Sequence, residues 1–142
     1  MSVLQFSIRR SPPLVLQTES TECGLACLAM IAGHYGHSID LASLRRRHTV
    51  SLTGMTLAHL IALAEKIQLE ARPVKLDLDA LHLLQLPAVL HWNFNHFVVL
   101  TQLRKASVIV HDPASGRKQI SFDDLSKHFT GVALELTPST EF

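Results

Sequence analysis

The sequence predicts an α+β fold, and three observations carry that prediction. From Cys23 to Gly33 every residue is apolar or glycine, a length that suits a helix better than a strand. From Pro87 onward the apolar residues come instead in short β-branched or aromatic runs, the pattern of strands. Helical patterns therefore precede strand patterns rather than alternating with them, which points to helices followed by a mostly antiparallel sheet.

The elements follow in order. A helix over 23–33 that is apolar on all sides must be buried on all sides. Thr18-Glu19-Ser20-Thr21-Glu22 supplies hydroxyls and carboxylates suited to its N-terminus, and Gly33 and Gly36 mark its end near Tyr35. Asp40 can cap a short second helix running through Arg47. A third, from about Met55 to Gln68, puts Leu57, Leu60, Ile61, Ala64 and Ile67 on one face. Strands are expected over 87–92, 96–103 and 107–112. Asp112-Pro113-Ala114-Ser115-Gly116 is a turn, because proline presets φ and glycine takes the conformation other residues avoid. Ser121-Phe122-Asp123-Asp124 opens a helix to about Phe129. Gly131 ends that helix, and 132–136 returns as the last strand.

Composition narrows the function classes. The 142 residues suffice for one domain with a single sizeable core. Thirteen basic and twelve acidic side chains leave a net charge of +1, which gives no electrostatic footprint for nucleic acid. Charged residues at 18% and a mean hydropathy of +0.22 argue against disorder. No apolar run approaches the ~18 residues of a membrane span, and the N-terminal stretch lacks the apolar core of a signal peptide. Two cysteines cannot staple a secreted scaffold. The chemistry is to be sought in those cysteines and nine histidines.

Cys23 stands at the start of the buried helix, where free backbone N–H groups and the helix dipole favour a thiolate. Taken alone, a cysteine there is better read as a small core hydrophobe, and Cys27, one turn deeper, is read as packing. A disulfide between them has poor geometry within one helix. A zinc site borrowing His34 and His37 matches no strong ligand spacing. A thiolate nucleophile needs a base and a group to orient it. His96 opens a strand and shares a face with Val98 and Leu100. If strands 96–102 and 107–112 pair antiparallel, the entry of one lies beside the exit of the other, and His96 can meet Asp112. His91 and His111 compete less well: His111 should face away from Asp112, and no carboxylate is placed near His91. Gln17, just before the helix, could offer its side-chain amide, with the Cys23 backbone N–H, to an oxyanion.

At this point the residues resemble a known family. The run from Gln17 to Ile31, with Cys23 at its centre, is similar to the signature of the C39 peptidases, the N-terminal domains of bacterial ABC transporters that process and export bacteriocins. His91-Trp92-Asn93-Phe94-Asn95-His96-Phe97-Val98-Val99-Leu100 and His111-Asp112-Pro113-Ala114-Ser115-Gly116 resemble the family's histidine and aspartate motifs, in the right order. The likeness runs from about Pro13 to the C-terminus and is nearest the colicin V type of exporter. It implies a papain-like fold, with residues 1–12 as an extension and 13–142 as the domain. A helical lobe over about 13–70 would carry the nucleophile, and a sheet lobe over about 71–138 the base. It implies Cys23 as nucleophile, His96 as general base and acid, Asp112 as its orienter and Gln17 as oxyanion donor. The implied reaction is cleavage of a precursor peptide after a double-glycine leader motif, on the cytoplasmic face of the inner membrane. The implied partners are the precursor and the transporter's own membrane-spanning and nucleotide-binding domains, in a full-length homodimer. No cofactor or metal is implied for the peptidase domain, whereas ATP and magnesium belong to the transporter part outside this chain. Two other readings stay open: a docking domain that binds the leader without cutting, and a structural or metal-binding module.

Overall fold

The computed structural model describes residues 12–18, 21–47 and 55–140. The expected extension over 1–12 lies, save for Pro12, outside the described residues.

Helix α1, Cys23–His34, has every residue from Cys23 to Ala32 buried, as its wholly apolar composition requires. Leu25, Leu28, Met30 and Ile31 are fully buried, each contributing about 1.5–3 kcal/mol through the apolar surface removed from water. Its N-cap differs from expectation. Glu22 occupies the capping position without bonding the helix through its side chain, which is engaged elsewhere. At the other end Tyr35 caps the helix and Gly36, at φ 94°, turns the chain away. Helix α2, Leu41–Arg47, opens as expected on the Asp40 carboxylate, which accepts from the Ser43 backbone N–H at 2.6 Å. Helix α3, Leu57–Lys66, is shorter than the periodicity suggests, because Thr56 caps it by accepting from the His59 N–H at 3.1 Å. Met55 is left outside, packed partly buried against the core.

The second half forms one six-stranded sheet, antiparallel throughout, in the order β1-β6-β2-β3-β4-β5. Its strands are β1 Leu69–Lys75, β2 Ala88–Trp92, β3 His96–Leu103, β4 Ser107–Asp112, β5 Gly116–Ser121 and β6 Phe129–Pro138. The three expected central strands are present. The two strands that the sequence pattern does not announce, β1 and β5, are the edges. β1 carries Pro73, which only an edge tolerates, and β5 alternates weakly because Arg117, Lys118 and Gln119 are all exposed. A 3₁₀ segment, Leu78–Leu83, is likewise unannounced. Helix α4, Phe122–Ser126, is capped as expected by Ser121, which accepts from the Asp124 N–H at 3.1 Å. It ends three residues before Phe129, and Gly131 is not its stop. Gly131 lies inside β6 at φ 96°, and its carbonyl accepts from the Leu76 N–H at 2.8 Å.

The sheet buries both faces, so β3 alternates between two cores rather than between core and water. Phe97 and Val99 join α1 and α3 in one. Val98 and Leu100 join Leu81, Leu84 and Leu125 in the other. The segment 12–18 is held against the end of α1, where a Cβ at Gly33 would stand only 2.7 Å from Pro13 Cγ. Among the described residues no helix is long and apolar enough to cross a membrane.

Candidate active site

One end of the sheet collects residues from four segments. Cys23 is the first residue of α1 and is 6% exposed, so little of it meets solvent. His96 is the first residue of β3. The β2–β3 hairpin delivers it by pairing Trp92 opposite His96 across a turn in which Asn93 and Phe94 both adopt left-handed backbone, at φ 53° and 63°.

β3 and β4 pair antiparallel, with Val99 opposite His111 and Leu100 opposite Val110. The entry of β3 thus lies beside the exit of β4, and His96 Nε2 meets Asp112 Oδ1 at 2.7 Å. Asp112 is also the turn-former that its neighbour Pro113 suggests. The same Oδ1 accepts from the Ala114 N–H at 2.9 Å, so the turn fixes the carboxylate that faces the imidazole. His96 is within hydrogen-bonding reach of Cys23 as well.

These contacts set the charges. Burial penalises a charged His96, but its hydrogen bonds and charge interactions with Asp112 and Cys23 prevail and raise its pKa to about 9. Burial also opposes ionisation of Asp112, and the bonds from His96 and Ala114 reverse that and hold its carboxyl below the usual value. At neutral pH the pair is therefore an imidazolium beside a carboxylate, aimed at a sulfur. Cys27 behaves oppositely: fully buried, its thiol is pushed well above the usual value, which fits its reading as packing.

Among the described residues neither competing histidine pairs with a carboxylate. His91 Nδ1 lies 3.0 Å from Thr130 Oγ1, and its ring sits against Phe94 and Phe97. His111, paired with Val99, turns toward the helical side, and burial lowers the pKa of both histidines. Gln17 joins the site through its backbone, donating to the Pro113 carbonyl at 2.9 Å, just past Asp112. Its side-chain oxygen is buried with no hydrogen-bond partner among the described residues. The structure thus brings Cys23, His96 and Asp112 together and anchors Gln17 beside the Asp112 turn. His34 and His37 do not join Cys23 and Cys27: among the described residues no three His, Cys, Asp or Glu side chains gather to hold a metal ion.

Sequence reasoning misses one cluster, in which Glu22 pairs with Arg45 and Thr18. A carboxylate next to Cys23 is visible in the sequence, but Arg45 reaches it from another helix, 23 residues along the chain.

A buried cysteine at a helix start, facing a carboxylate-bound histidine at a strand entry, is the arrangement of a cysteine peptidase. Residues 11–141 match the model of the Peptidase C39 family. The chain belongs to that family. The C39 chain is 48% identical over 134 residues to the probable microcin-H47 secretion/processing ATP-binding protein MchF of Escherichia coli, covering 94% of this chain. It is 46% identical over 142 residues to the colicin V secretion/processing ATP-binding protein CvaB of Escherichia coli, covering 100% of it. It spans about a fifth of the length of these curated relatives, 19% and 20%. Among solved structures it resembles a double-glycine motif protease from an AMS/PCAT transporter in complex with the leader peptide. There the TM-score is 0.84 and the identity 32%, covering 90% of this chain and 92% of that one. It also resembles the peptidase domain of Streptococcus ComA, a bi-functional ABC transporter of a quorum-sensing pathway. That match has a TM-score of 0.83 at 27% identity, covering 92% of this chain and 100% of that one. The C39 chain is a cysteine peptidase of papain-like fold.

Proposed function

We propose that this chain is the peptidase domain of a bacteriocin or microcin exporter and cleaves the precursor immediately after a double-glycine leader motif. The observation that carries the reading is the His96–Asp112 pair at 2.7 Å, placed against Cys23 at a helix start. Its likeness to secretion/processing proteins supplies the substrate class.

In this reading the Cys23 thiolate, paired with His96 imidazolium, attacks the carbonyl carbon of the second glycine. The Cys23 backbone N–H and the Gln17 side-chain amide stabilise the oxyanion. Gln17 suits that role because its side-chain oxygen is buried without a hydrogen-bond partner among the described residues, and a half-turn about its last bond exchanges oxygen and NH₂. The tetrahedral intermediate collapses as His96 gives its proton to the leaving amine. The leader is left as a thioester on Cys23. His96, now neutral, takes a proton from water, whose oxygen attacks the thioester and releases the leader carboxylate and the thiolate. Asp112 keeps the imidazole in the orientation and charge state both steps need. A narrow cleft at the scissile bond would exclude any residue carrying a Cβ, which accounts for glycine at both positions.

The precursor peptide and the exporter's own membrane-spanning and nucleotide-binding domains are the proposed partners, in a full-length homodimer. The proposed location is the cytoplasmic face of the inner membrane. ATP and magnesium are assigned to the nucleotide-binding part outside this chain, and neither enters the cleavage steps.

The test is a synthetic peptide with a double-glycine leader junction, incubated with the domain and followed by mass spectrometry. A single cut after the second glycine is expected. Replacing either glycine by alanine is expected to lower kcat/KM at least about a hundredfold, the scale on which a misplaced scissile bond costs rate. Binding without any cut would favour the docking reading. A cut insensitive to the glycines would contradict the proposed specificity.

A further inference from the structure

Two groups proposed to meet on one oxygen, the Gln17 amide and the Cys23 backbone N–H, are separated by five residues of sequence. Glu22 is placed to hold the two ends of that interval together. Its side chain is 4% exposed, immediately before Cys23. Its Oε1 accepts from the Thr18 backbone N–H at 3.1 Å and from Thr18 Oγ1 at 2.7 Å. Arg45, from α2, completes the knot: Nη2 donates to Thr18 Oγ1 at 2.7 Å and to Glu22 Oε1 at 3.1 Å, while Nε pairs with Glu22 Oε2. The backbone carbonyl of Glu22 meanwhile accepts from Ala26 N–H at 3.0 Å, inside the first turn of α1.

We infer that Glu22 and Arg45 are positioning residues for the oxyanion site, holding Thr18, and through it Gln17, at a fixed distance from Cys23. Gln17 is fixed from its other side by the bond from its backbone N–H to Pro113. The backbone that carries the donor is thus braced between the helix that carries the nucleophile and the turn that carries Asp112. A buried carboxylate is costly unless it is paired and fully bonded. Here the bonds its side chain makes with Thr18 and Arg45 tie residue 18 and α2 to the residue before Cys23. Capping alone does not account for it, because the Glu22 side chain makes no capping bond to α1. The inference rests on the proposed roles of Cys23 and Gln17, and it adds two residues that touch no reacting atom.

Two reactions of the same sulfur separate positioning from other effects. Peptide cleavage develops an oxyanion, whereas alkylation by iodoacetamide requires only an accessible thiolate. For Glu22→Gln, kcat on the double-glycine peptide is expected to fall about tenfold to a hundredfold, the scale of a donor displaced by about an ångström. KM and the alkylation rate of Cys23 are expected to stay within about twofold. In the Gln17→Ala background the added loss is expected to be less than about twofold, because residues acting as a unit are not additive. Arg45→Ala, at a residue nearly half exposed, is expected to follow the same pattern, and it serves as the test should Glu22→Gln fail to fold. Arg45→Lys is expected to recover only part of the loss, since an ammonium cannot bridge two acceptors as a guanidinium does. Unchanged kcat, alkylation that falls in step with kcat, or losses that multiply with Gln17→Ala would each overturn the inference. If Gln17→Ala itself left kcat intact, the oxyanion role proposed above would fail. If Gln17→Ala were costly while Glu22→Gln and Arg45→Ala were neutral, only the brace would fail.

Discussion

Alanine at Cys23 or at His96 is expected to take cleavage of the double-glycine peptide to background, and the double variant is expected to be no worse than either single one. The expected loss in kcat is about 10⁴-fold or more for each, the scale seen when nucleophile or base is removed from a unit that works only together. The reason is visible in the site. His96 is the titratable group within hydrogen-bonding reach of Cys23 that is also held by a carboxylate, while among the described residues neither His91 nor His111 has a carboxylate partner. Steady-state kinetics on the four proteins checks this, with circular dichroism to confirm that the fold survives. A His96→Ala protein retaining a tenth of wild-type kcat would remove the base from the scheme.

Asp112→Asn is expected to have the next largest effect, a loss of about 10²–10⁴ in kcat, because the imidazole loses the partner that fixes its orientation and charge. It should also move the pH profile, and the sign follows from the shift. In the wild type His96 is raised from 6.5 to about 9 in part by the Asp112 hydrogen bond, so the imidazolium that the proposed mechanism uses for leaving-group protonation is lost as pH rises through about 9. Without the carboxylate the His96 pKa falls, and the alkaline limb of the profile moves to lower pH. The same proton is linked to stability. His96 contributes fully below its unfolded value near 6.5, and the contribution disappears as pH climbs through about 9. Urea denaturation of the wild type across that window should show the decline, and Asp112→Asn should show less of it. An alkaline limb left in place by the substitution would mean that another group sets it.

What can be read from the sequence divides along physical lines. The pairing of His96 with Asp112 follows from strand periodicity and one turn, because a short antiparallel connection leaves little freedom in register. The buried helix α1 follows from its wholly apolar run. The edge strands β1 and β5 are not readable. An edge needs to bury little, so Pro73 and the exposed Arg117, Lys118 and Gln119 erase the alternation that marks a strand. The extended start of β6 is hidden by Gly131, whose left-handed backbone serves a contact with Leu76 rather than a helix end. The brace of Thr18, Glu22 and Arg45 is hidden for a different reason. It joins residues from two segments brought together by the packing of α2, and sequence spacing carries no trace of that. The place of Gln17 is legible as a position before the helix, but its anchor on Pro113 is not.

If the Cys23 sulfur forms a covalent bond to the leader, acid quenching during turnover will trap the thioester. Intact-mass analysis of the quenched protein should reveal an adduct equal to the leader peptide less one water. Peptide mapping should place that adduct on Cys23, and it should be absent from Cys23→Ala. Cleavage after the second glycine by Cys23→Ala, or an adduct on any other side chain, would contradict the account.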